Sequence, residues 1–278
     1  MLSRLMGNLR WRWAKYRLAN AEVWSGGGMW SVPADDKFRE AIAGKPRLAP
    51  YERLAAVWHE HSLGGRPPYE RFLPAVRRRF DAAIADVLDV ACGVGTLSRE
   101  LARDCRRVVG IDCNPHMLAE ARKNCAPYAH VRIADADFRS FSLGETFDAA
   151  ICAFDSINYL DDVQELNDVL RMVAGHLRPG GFFVFDALAE AAMQTLTRVD
   201  SHSTHRDLRC AMCSYYDESK RKSRTLVVFS DGVEEHVRVP IDPPEVSAAA
   251  ERAGLVLLEV FGSANRFRTF YLLRKPAR

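Results

Sequence analysis

The pattern of apolar and polar residues along the chain changes near residue 86. From there to residue 187, short apolar runs predict strands at about 86–91, 107–112, 130–134, 147–153 and 181–187. Helical periodicity between them predicts helices at about 95–104, 115–125 and 162–176, the last closed by Pro179-Gly180-Gly181. Strands that alternate with helices indicate a parallel sheet with right-handed crossovers.

The flanking segments follow other patterns. Before residue 86, helical spacing in 51–58 and 72–80 predicts an N-terminal helical cap over residues 1–85. After residue 187, alternation predicts antiparallel strands at 207–217, 224–230 and 233–239, then a helix from Pro243 to Gly254 and strands at 255–261 and 267–274. We therefore divide the chain into a cap (1–85), a core (86–187), an antiparallel insert (188–242) and a closing segment (243–278).

Composition and charge exclude several classes of protein. The chain has 278 residues, is 48% hydrophobic and 27% charged, and has a net charge of +3, which is too small to indicate nucleic acid or an anionic membrane as partner. No apolar run approaches the roughly 20 residues of a membrane span. The N-terminus lacks a secretory apolar region, and seven scattered cysteines are typical of free thiols in a reducing compartment. We expect a soluble, cytoplasmic protein.

Residues 1–20 carry basic residues but no acid, and their apolar residues fall on one helical face. This pattern fits an interfacial helix or a lid over the substrate. It also fits a helix packed on the core or on a second subunit, so a homodimer stays open. We favour the packed helix because the overall charge is weak.

The segment VLDVACGVGTLS, residues 87–98, predicts a strand, a tight turn at Gly93 and Gly95, and a helix. Glycines at such a turn allow unusual backbone angles and the close approach of a nucleotide. A dinucleotide fold favours a third glycine or alanine where this chain has Ser98. Asp112 ends the next strand and is the acid nearest to the expected ribose.

Three further motifs follow in order: IADADF at 133–138, FDAAICAFDSINYL at 147–160 and HLRPGGF at 176–182. At these residues the chain resembles the class I S-adenosylmethionine-dependent methyltransferases. More weakly, residues 51–69 and the segments around 234–236 and 268–273 look like the small-molecule branch, which includes sugar N,N-dimethyltransferases and glycine/sarcosine methyltransferases. The resemblance implies a Rossmann-like, doubly wound α/β fold with a mostly parallel seven-stranded sheet.

The resemblance also implies a cofactor site. Gly93 and Gly95 would place bare backbone beside the cofactor's amino-acid end, and Asp112 would accept both ribose hydroxyls. Asp135 and the Ala136 N–H would bind the adenine between apolar walls that include Met117 and Phe138. The remaining predicted cofactor residues are Tyr51, Arg66, Ala91 and Phe154. The competing interpretations are helix caps for Asp112 and Asp135, and a solvated loop residue for Arg66.

The loop from Asp155 to Tyr159 is where we expect the substrate that accepts the methyl group to bind. Methyl transfer from a sulfonium mainly requires alignment, and a base only when the nucleophile arrives protonated. Some relatives carry histidine where this chain has Tyr159, so Tyr159 would orient the acceptor or line the site. We therefore predict Asp155, Tyr159 and His236 as catalytic residues, although His236 also fits an exposed strand histidine. His59 and His61 are weaker base candidates.

A zinc site is a further alternative, because His202, His205, Cys210 and Cys213 lie within twelve residues. The spacing is not a common finger pattern, and Cys210 and Cys213 would point to opposite faces of a strand. We therefore predict no metal.

The sequence thus predicts an enzyme that transfers a methyl group from S-adenosylmethionine to an amino or hydroxyl group of a small molecule by in-line displacement. The alternative is an enzyme of the same fold that uses the cofactor for cyclisation of its aminobutyl portion or for an assisted rearrangement. A macromolecular methylator or a binding protein would need a basic stripe or an aromatic platform, which we find nowhere beyond residues 1–20. We expect no nucleic acid and no stable membrane insertion.

Overall fold

The computed structural model describes residues 44–56, 58, 72–196, 201–205, 208–262 and 268–277, without the side chains of 196, 201–205, 208, 209, 211, 213 and 215. In chain order, its elements are β1 (Arg47–Leu48), α1 (Phe72–Phe80), β2 (Asp86–Val90), α2 (Thr96–Leu101), β3 (Arg107–Asp112), α3 (Pro115–Cys125), β4 (Val131–Asp135), β5 (Phe147–Cys152), α4 (Leu166–His176), β6 (Leu177–Ala187), α5 (Glu190–Leu196), β7 (Ser201–His205), β8 (Leu208–Asp217), β9 (Lys222–Val228), β10 (Val233–Arg238), α6 (Pro243–Arg252), β11 (Val256–Gly262) and β12 (Thr269–Arg274). The predictions for residues 1–43 lie outside these ranges.

The larger sheet has seven strands in the order β11-β12-β6-β5-β2-β3-β4. β4, β3, β2, β5 and β6 are parallel, whereas β12 runs antiparallel to both β6 and β11. This arrangement confirms the predicted Rossmann-like α/β fold with a mostly parallel seven-stranded sheet. The two strands added at the β6 edge are those predicted near the C-terminus.

Strand β2 is buried on both faces, as expected for a central parallel strand. Its side chains alternate between two hydrophobic clusters: Leu88 and Val90 pack with Ile111 on one face, and Val87 packs with Val108 on the other. The carboxyl ends of the parallel strands are therefore fixed from both sides. Ligands of such sheets bind at this edge, where the strand order reverses between β2 and β5.

The smaller sheet has five strands in the order β1-β10-β9-β8-β7 and is antiparallel except at the β1–β10 pair. Buried Asn158 ties it to the core, since its Nδ2 donates to the carbonyls of Leu188 and Val239 at 2.9 and 2.8 Å. The Arg221 guanidinium adds ion pairs to α5 and α6 through Glu190 and Glu245. The insert is thus held against the sheet edge that carries the site.

Most predicted elements lie within a few residues of their observed bounds, but the start of β6 differs and three elements are additional. β6 begins at Leu177, so Pro179-Gly180-Gly181 lies inside the strand, where the β5–β6 register shifts and Lys275 pairs with the glycines. α5, β7 and the two-residue β1 were not predicted. Among the described residues, no helix is both long and apolar enough to cross a bilayer.

Candidate active site

A cavity of about 280 Å³ opens at the carboxyl ends of β2, β3 and β5, beneath the N-terminal cap. Its polar side comes from the turn after β2 and from the ends of β3 and β4, while aromatic residues of the cap and of the loop after β5 form the opposite side. Its lining residues are Pro50, Tyr51, Trp58, Asp89, Ala91, Cys92, Gly93, Val94, Thr96, Leu97, Asp112, Cys113, Asn114, Met117, Asp137, Phe138, Arg139, Ala153, Phe154, Ser156 and Tyr159.

The glycine turn has the conformation that its sequence predicts. Ala91, Gly93 and Gly95 have φ angles of 54°, 55° and 76°. A Cβ on Gly95 would lie 2.8 Å from the Cys125 Sγ, whereas a Cβ on Gly93 would project beside Met117 into the cavity wall, 3.9 Å from its sulfur. Gly95 is therefore required by packing against α3, and Gly93 leaves bare backbone at the cavity.

Asp112 holds this turn from the neighbouring strand. Its two carboxylate oxygens accept the N–H groups of Gly93 at 2.8 Å and Asn114 at 2.9 Å. Burial raises the pKa of Asp112 above its ordinary value, and these backbone bonds only partly oppose that effect. Each oxygen keeps a further lone pair for a ligand hydroxyl, so the carboxylate can support the turn and bind a ribose together.

A buried pair of polar side chains lies behind the glycine turn. The Ser98 hydroxyl donates to the Asp89 carboxylate at 2.6 Å, and both side chains are almost fully buried. Ser98 therefore has a polar partner at the position where a dinucleotide fold would favour glycine. Asp89 also contributes to the cavity wall, as a neighbour of the glycine loop.

Aromatic rings form the wall next to the cap. Tyr51 and Phe154 each pack edge-to-face against Trp58, with ring centroids 5.6 and 5.8 Å away. Both Phe154 and Asp155 have positive φ angles, 68° and 51°, in a conformation that buried Asp186 stabilises by accepting both backbone N–H groups, at 2.8 and 3.0 Å. Backbone held in this sparsely populated region is common where a loop faces a ligand.

The structure corrects the adenine assignment. Asp135 is exposed on edge strand β4 and does not line the cavity, and the Ala136 N–H donates to the Asp112 carbonyl at 3.0 Å. The chain turns toward the cavity two residues later, where Asp137 and Phe138 line it. The Asp137 carboxylate is paired with Arg139, which lowers its pKa.

Asp155 also has a different environment from the one predicted. Its carboxylate is buried and forms ion pairs with Arg238 at 2.8 Å and with Arg268, and it does not line the cavity. Its two carboxylate oxygens are thus each bound to a guanidinium partner. Asp155 therefore fixes the loop beside the cavity, and its neighbours Phe154 and Ser156 reach the wall.

Tyr159 and His236 lie in contact. The Tyr159 hydroxyl lies 2.6 Å from the Tyr51 hydroxyl and 3.1 Å from the His236 Nδ1. His236 is buried, which excludes the exposed strand histidine. Its Nε2 lies 3.2 Å from the Glu234 carboxylate, a residue that sequence reasoning missed as a site residue. The alternation of strand residues was the signal, because positions 234 and 236 share one face of β10.

The remaining predicted residues fall into two groups. Tyr51, Ala91, Met117 and Phe154 line the cavity, as does Gly93, while Gly95 packs behind it. Arg66, His59 and His61 lie outside the described residues, as do the side chains of His202, His205 and Cys213. Within the part of the chain that is described, no group of three or more His, Cys, Asp or Glu residues could hold a metal ion. The zinc alternative therefore stays untested at those positions.

Residues 87–181, in the core of the chain, are similar to a known protein family. Residues 87–181 match the family described as a methyltransferase domain. This part of the chain is therefore similar to a methyltransferase domain. The match begins in β2 and ends in the first half of β6, so it covers the glycine turn and strands β3, β4 and β5.

Two relatives of this methyltransferase domain are sugar N,N-dimethyltransferases. The chain is 37% identical over 147 residues to dTDP-3-amino-3,6-dideoxy-alpha-D-glucopyranose N,N-dimethyltransferase of Streptomyces fradiae, covering 48% of this chain and 56% of the relative. It is 34% identical over 111 residues to dTDP-3-amino-3,4,6-trideoxy-alpha-D-glucopyranose N,N-dimethyltransferase of Streptomyces venezuelae, covering 40% of this chain and 45% of the relative. The chain thus spans about half the length of these relatives.

Solved structures match over more of the chain. DesVI of Streptomyces venezuelae superposes with a TM-score of 0.68 at 26% identity, over 80% of this chain and 98% of that one. An S-adenosylmethionine-dependent methyltransferase from Clostridium acetobutylicum ATCC 824 gives a TM-score of 0.72 at 20% identity, over 81% and 99% of the two chains. The second likeness shows the fold alone.

Proposed function

We propose that the protein transfers a methyl group from S-adenosylmethionine to an amino or hydroxyl group of a small molecule. One observation carries the proposal: the cavity is acidic, and the N–H groups of both turn glycines are bound internally. The Gly93 N–H donates to Asp112, and the Gly95 N–H donates to the Cys92 carbonyl at 3.0 Å. Phosphate-bearing nucleotides need such N–H groups aimed at the ligand. A phosphate-free cofactor with sulfonium and ammonium charges suits this cavity better.

The residues present fit that cofactor. Asp112 would accept the ribose hydroxyls with the lone pairs that the backbone leaves over. Met117 and Phe138 would enclose the adenine, and Asp137 replaces Asp135 as the acid near its amino group. Gly93 leaves room at the wall for the amino-acid end, since a side chain there would project into the cavity.

S-adenosylmethionine, when bound, supplies a methyl group that is already activated on a sulfonium. The chain's own residues then have to align the acceptor, exclude water and receive one proton. Tyr51, Trp58, Phe154 and Tyr159 form an aromatic wall that keeps water from the acceptor side. The hydroxyls of the two tyrosines are the polar groups on that wall that can orient an acceptor.

An amine is the acceptor that we favour. The relatives from Streptomyces fradiae and Streptomyces venezuelae are N,N-dimethyltransferases of amino sugars. Neither cyclisation nor a rearrangement is favoured by any feature of the cavity. Methyl transfer and these alternative reactions differ in their products, because S-adenosylhomocysteine forms only when the methyl group leaves.

Calorimetry with S-adenosylmethionine and then S-adenosylhomocysteine tests the proposal. We expect both to bind with dissociation constants in the micromolar range, on the order of −8 kcal/mol. A panel of acceptors (glucosamine, glycine, sarcosine and catechol) is then assayed for S-adenosylhomocysteine by mass spectrometry. Absence of cofactor binding would contradict the proposal, and cofactor consumption without S-adenosylhomocysteine would support the alternative chemistry.

Three wider assignments are also our proposals. The division into cap, core, insert and closing segment at residues 1–85, 86–187, 188–242 and 243–278 follows the sequence pattern. A cytoplasmic location is supported by six described cysteines that are free thiols: Cys92, Cys105, Cys113, Cys125, Cys152 and Cys210. We propose a small-molecule substrate without nucleic acid, and a homodimer as the state to test by light scattering.

A further inference from the structure

Four side chains form a continuous hydrogen-bonded chain that starts at the cavity and ends in the protein interior. The Tyr51 hydroxyl contacts the Tyr159 hydroxyl at 2.6 Å, and Tyr159 contacts His236 Nδ1 at 3.1 Å. His236 Nε2 then contacts Glu234 Oε2 at 3.2 Å. Tyr51 and Tyr159 line the cavity, whereas His236 and Glu234 are buried behind them. We call these four residues the relay.

The deep end of the relay fixes its direction. Glu234 Oε1 accepts the N–H groups of Arg53 at 2.6 Å and Leu54 at 3.0 Å, and Oε2 accepts the Tyr51 N–H at 3.1 Å. An ionised carboxylate can only accept, so the contact with His236 requires a proton on Nε2. In the neutral imidazole Nδ1 is then an acceptor, so Tyr159 donates to it and the Tyr159 oxygen accepts from Tyr51. The free lone pair of the relay is on the Tyr51 oxygen, beside the cavity.

The charges of the relay agree with this direction. Burial would raise the pKa of Glu234, but the bonds from His236 and from the backbone N–H groups outweigh it and lower the pKa, so the carboxylate stays ionised. Burial raises the pKa of Tyr51 and of Tyr159, so both phenols keep their protons. The tyrosines can therefore pass a proton along without becoming phenolates.

We propose that the relay accepts the proton of an amine substrate, with His236 as the base and Glu234 as the residue that positions it. This inference rests on the proposed function. The ammonium proton moves to the Tyr51 oxygen, the Tyr51 proton to Tyr159, and the Tyr159 proton to His236 Nδ1. The amine then has a free lone pair, a nitrogen–carbon bond forms as the methyl carbon leaves sulfur, and one proton rests on the imidazolium. That proton returns to solvent by the reverse path after product release.

The groups packed around His236 can stabilise an imidazolium. The Tyr51 ring of the cap packs edge-to-face on the imidazole at 4.7 Å, and Tyr159 approaches it from the loop after β5. On β10, Glu234 supplies the negative charge, while the Arg238 guanidinium two residues along is bound to Asp155 and to Thr225. Thr225, which pairs with His236 across β9, is uncharged. Glu234 is thus the acid that directly contacts the imidazole and would stabilise the imidazolium.

Nuclear magnetic resonance of the ligand-free protein with ¹⁵N-labelled histidine tests the relay without any substrate. We expect the His236 signals of a neutral imidazole protonated at Nε2. The substitution Glu234→Gln should reverse the tautomer, because the new amide N–H₂ group donates to Nε2 and moves the proton to Nδ1. Tyr159→Phe should keep the Nε2–H tautomer but shift the Nδ1 signal toward an unbonded nitrogen. An Nδ1–H tautomer in the unaltered protein would overturn the proposal.

A matched control is the neighbouring carboxylate. Glu235 lies on the same strand but pairs with Arg224 and Arg47 instead of His236. Glu235→Gln should therefore leave the His236 tautomer unchanged. If Glu234→Gln does not fold, Tyr159→Phe still decides, because it removes only one hydroxyl from the relay. An unmoved Nδ1 signal in Tyr159→Phe would count against the proposal.

A pH profile of turnover tests the proton transfer itself. With the fastest amine of the acceptor panel, His236→Gln should lower kcat about 100-fold at about pH 7. The deficit should shrink toward about pH 9.5, where more of the amine arrives already neutral. His176→Gln, in a half-buried histidine outside the cavity that bonds to the Met172 carbonyl, should match the unaltered protein at every pH. A deficit that stays constant with pH would indicate a structural role for His236 and overturn the relay.

The two proposals fail in different ways. Loss of cofactor binding in the unaltered protein would remove the proposed function and leave the tautomer experiment untouched. Normal cofactor binding and turnover, with an Nδ1–H tautomer or a pH-independent deficit, would remove the relay alone. Calorimetry on His236→Gln completes the separation, because its dissociation constant for S-adenosylmethionine should stay within about twofold of the unaltered value.

Discussion

Two carboxylates beside this cavity, half-buried Asp112 and fully buried Glu234, are held in different ways. Asp112 ends a parallel strand and accepts two backbone N–H groups from the adjoining turns, those of Gly93 and Asn114. Glu234 lies on an antiparallel strand and accepts three N–H groups from the cap in addition to His236. Burial disfavours the charge of both carboxylates, and the hydrogen-bond donors of each oppose that effect to a different degree.

The pKa values of these carboxylates shift in opposite directions. Burial raises the pKa of Asp112, so its contribution to folding stability is present below the unfolded pKa and is lost as the pH rises. Burial of Glu234 is outweighed by its donors, so its contribution is present above the unfolded pKa and is lost on acidification. The ionised Asp112 thus costs stability until a ligand supplies donors, whereas the ionised Glu234 joins the cap to the insert. Asp112, on the cofactor side, therefore still has acceptor capacity for a ligand, whereas Glu234, on the acceptor side, already has its hydrogen-bond donors within the protein.

The largest expected change in the free energy of unfolding is at Gly95, in the glycine turn that Asp112 binds. Gly95→Ala should lower the free energy of unfolding by about 4 kcal/mol, the sum of a left-handed backbone penalty and overpacking. The cause is geometric: Gly95 has a φ of 76°, and a Cβ would lie 2.8 Å from the Cys125 Sγ and 3.3 Å from the Ala121 Cα. Urea unfolding at fixed pH measures the change.

Gly144→Ala is the control for this substitution. Gly144 has a φ of 66°, but a Cβ there would meet nothing within 4 Å. It should show the backbone penalty alone, about 1–2 kcal/mol. Equal losses at the two glycines would mean that contact with α3 contributes nothing, and that the turn is fixed by conformation only.

At Glu234 we expect a smaller loss of unfolding free energy, and one that depends on pH. Glu234→Gln should lower the free energy of unfolding by about 2 kcal/mol at neutral pH, because three backbone N–H groups lose a charged acceptor. The loss should be constant above about pH 5 and shrink below about pH 4.3, where the unfolded chain also protonates its glutamates. Urea unfolding across this range measures it.

Glu235→Gln separates the buried carboxylate from its neighbour. The Glu235 side chain is partly exposed and pairs with arginines at the surface. The substitution should change the free energy of unfolding by no more than about 0.5 kcal/mol at every pH. A Glu234→Gln deficit that does not shrink on acidification would show that packing, and not charge, holds the cap to the insert.

The same contrast explains what the sequence could predict. The glycine turn and Asp112 lie within twenty residues of one another, and strand–helix alternation brings them to one sheet edge. The Tyr51 N–H and Glu234 are 183 positions apart. No local pattern marks such a contact, because it forms only when the insert folds back under the cap. His236 was recognised as a base candidate, while its partner two residues earlier on the same face was not.

The incorrect predictions have a common physical origin in loops that follow strands. Asp155 was assigned to catalysis because it follows β5, but Arg238 and Arg268 neutralise it, and they come from 83 and 113 residues further along the chain. Ala136 was expected to bind adenine, but its N–H completes the ladder to β3. Sequence order located the correct edge of the sheet. The direction of each side chain depended on partners that the motifs do not contain.

The smallest effect concerns cofactor affinity and decides between two aspartates. Asp112→Asn should weaken S-adenosylmethionine binding about tenfold, or about 1.4 kcal/mol, because the ribose hydroxyls lose a charged acceptor. Asp135→Asn, on the exposed face of the edge strand, should leave the dissociation constant within about twofold. Calorimetry on both variants compares them directly. A tenfold loss in Asp135→Asn with none in Asp112→Asn would restore the adenine assignment made from the sequence and reverse the roles given to the ends of β3 and β4.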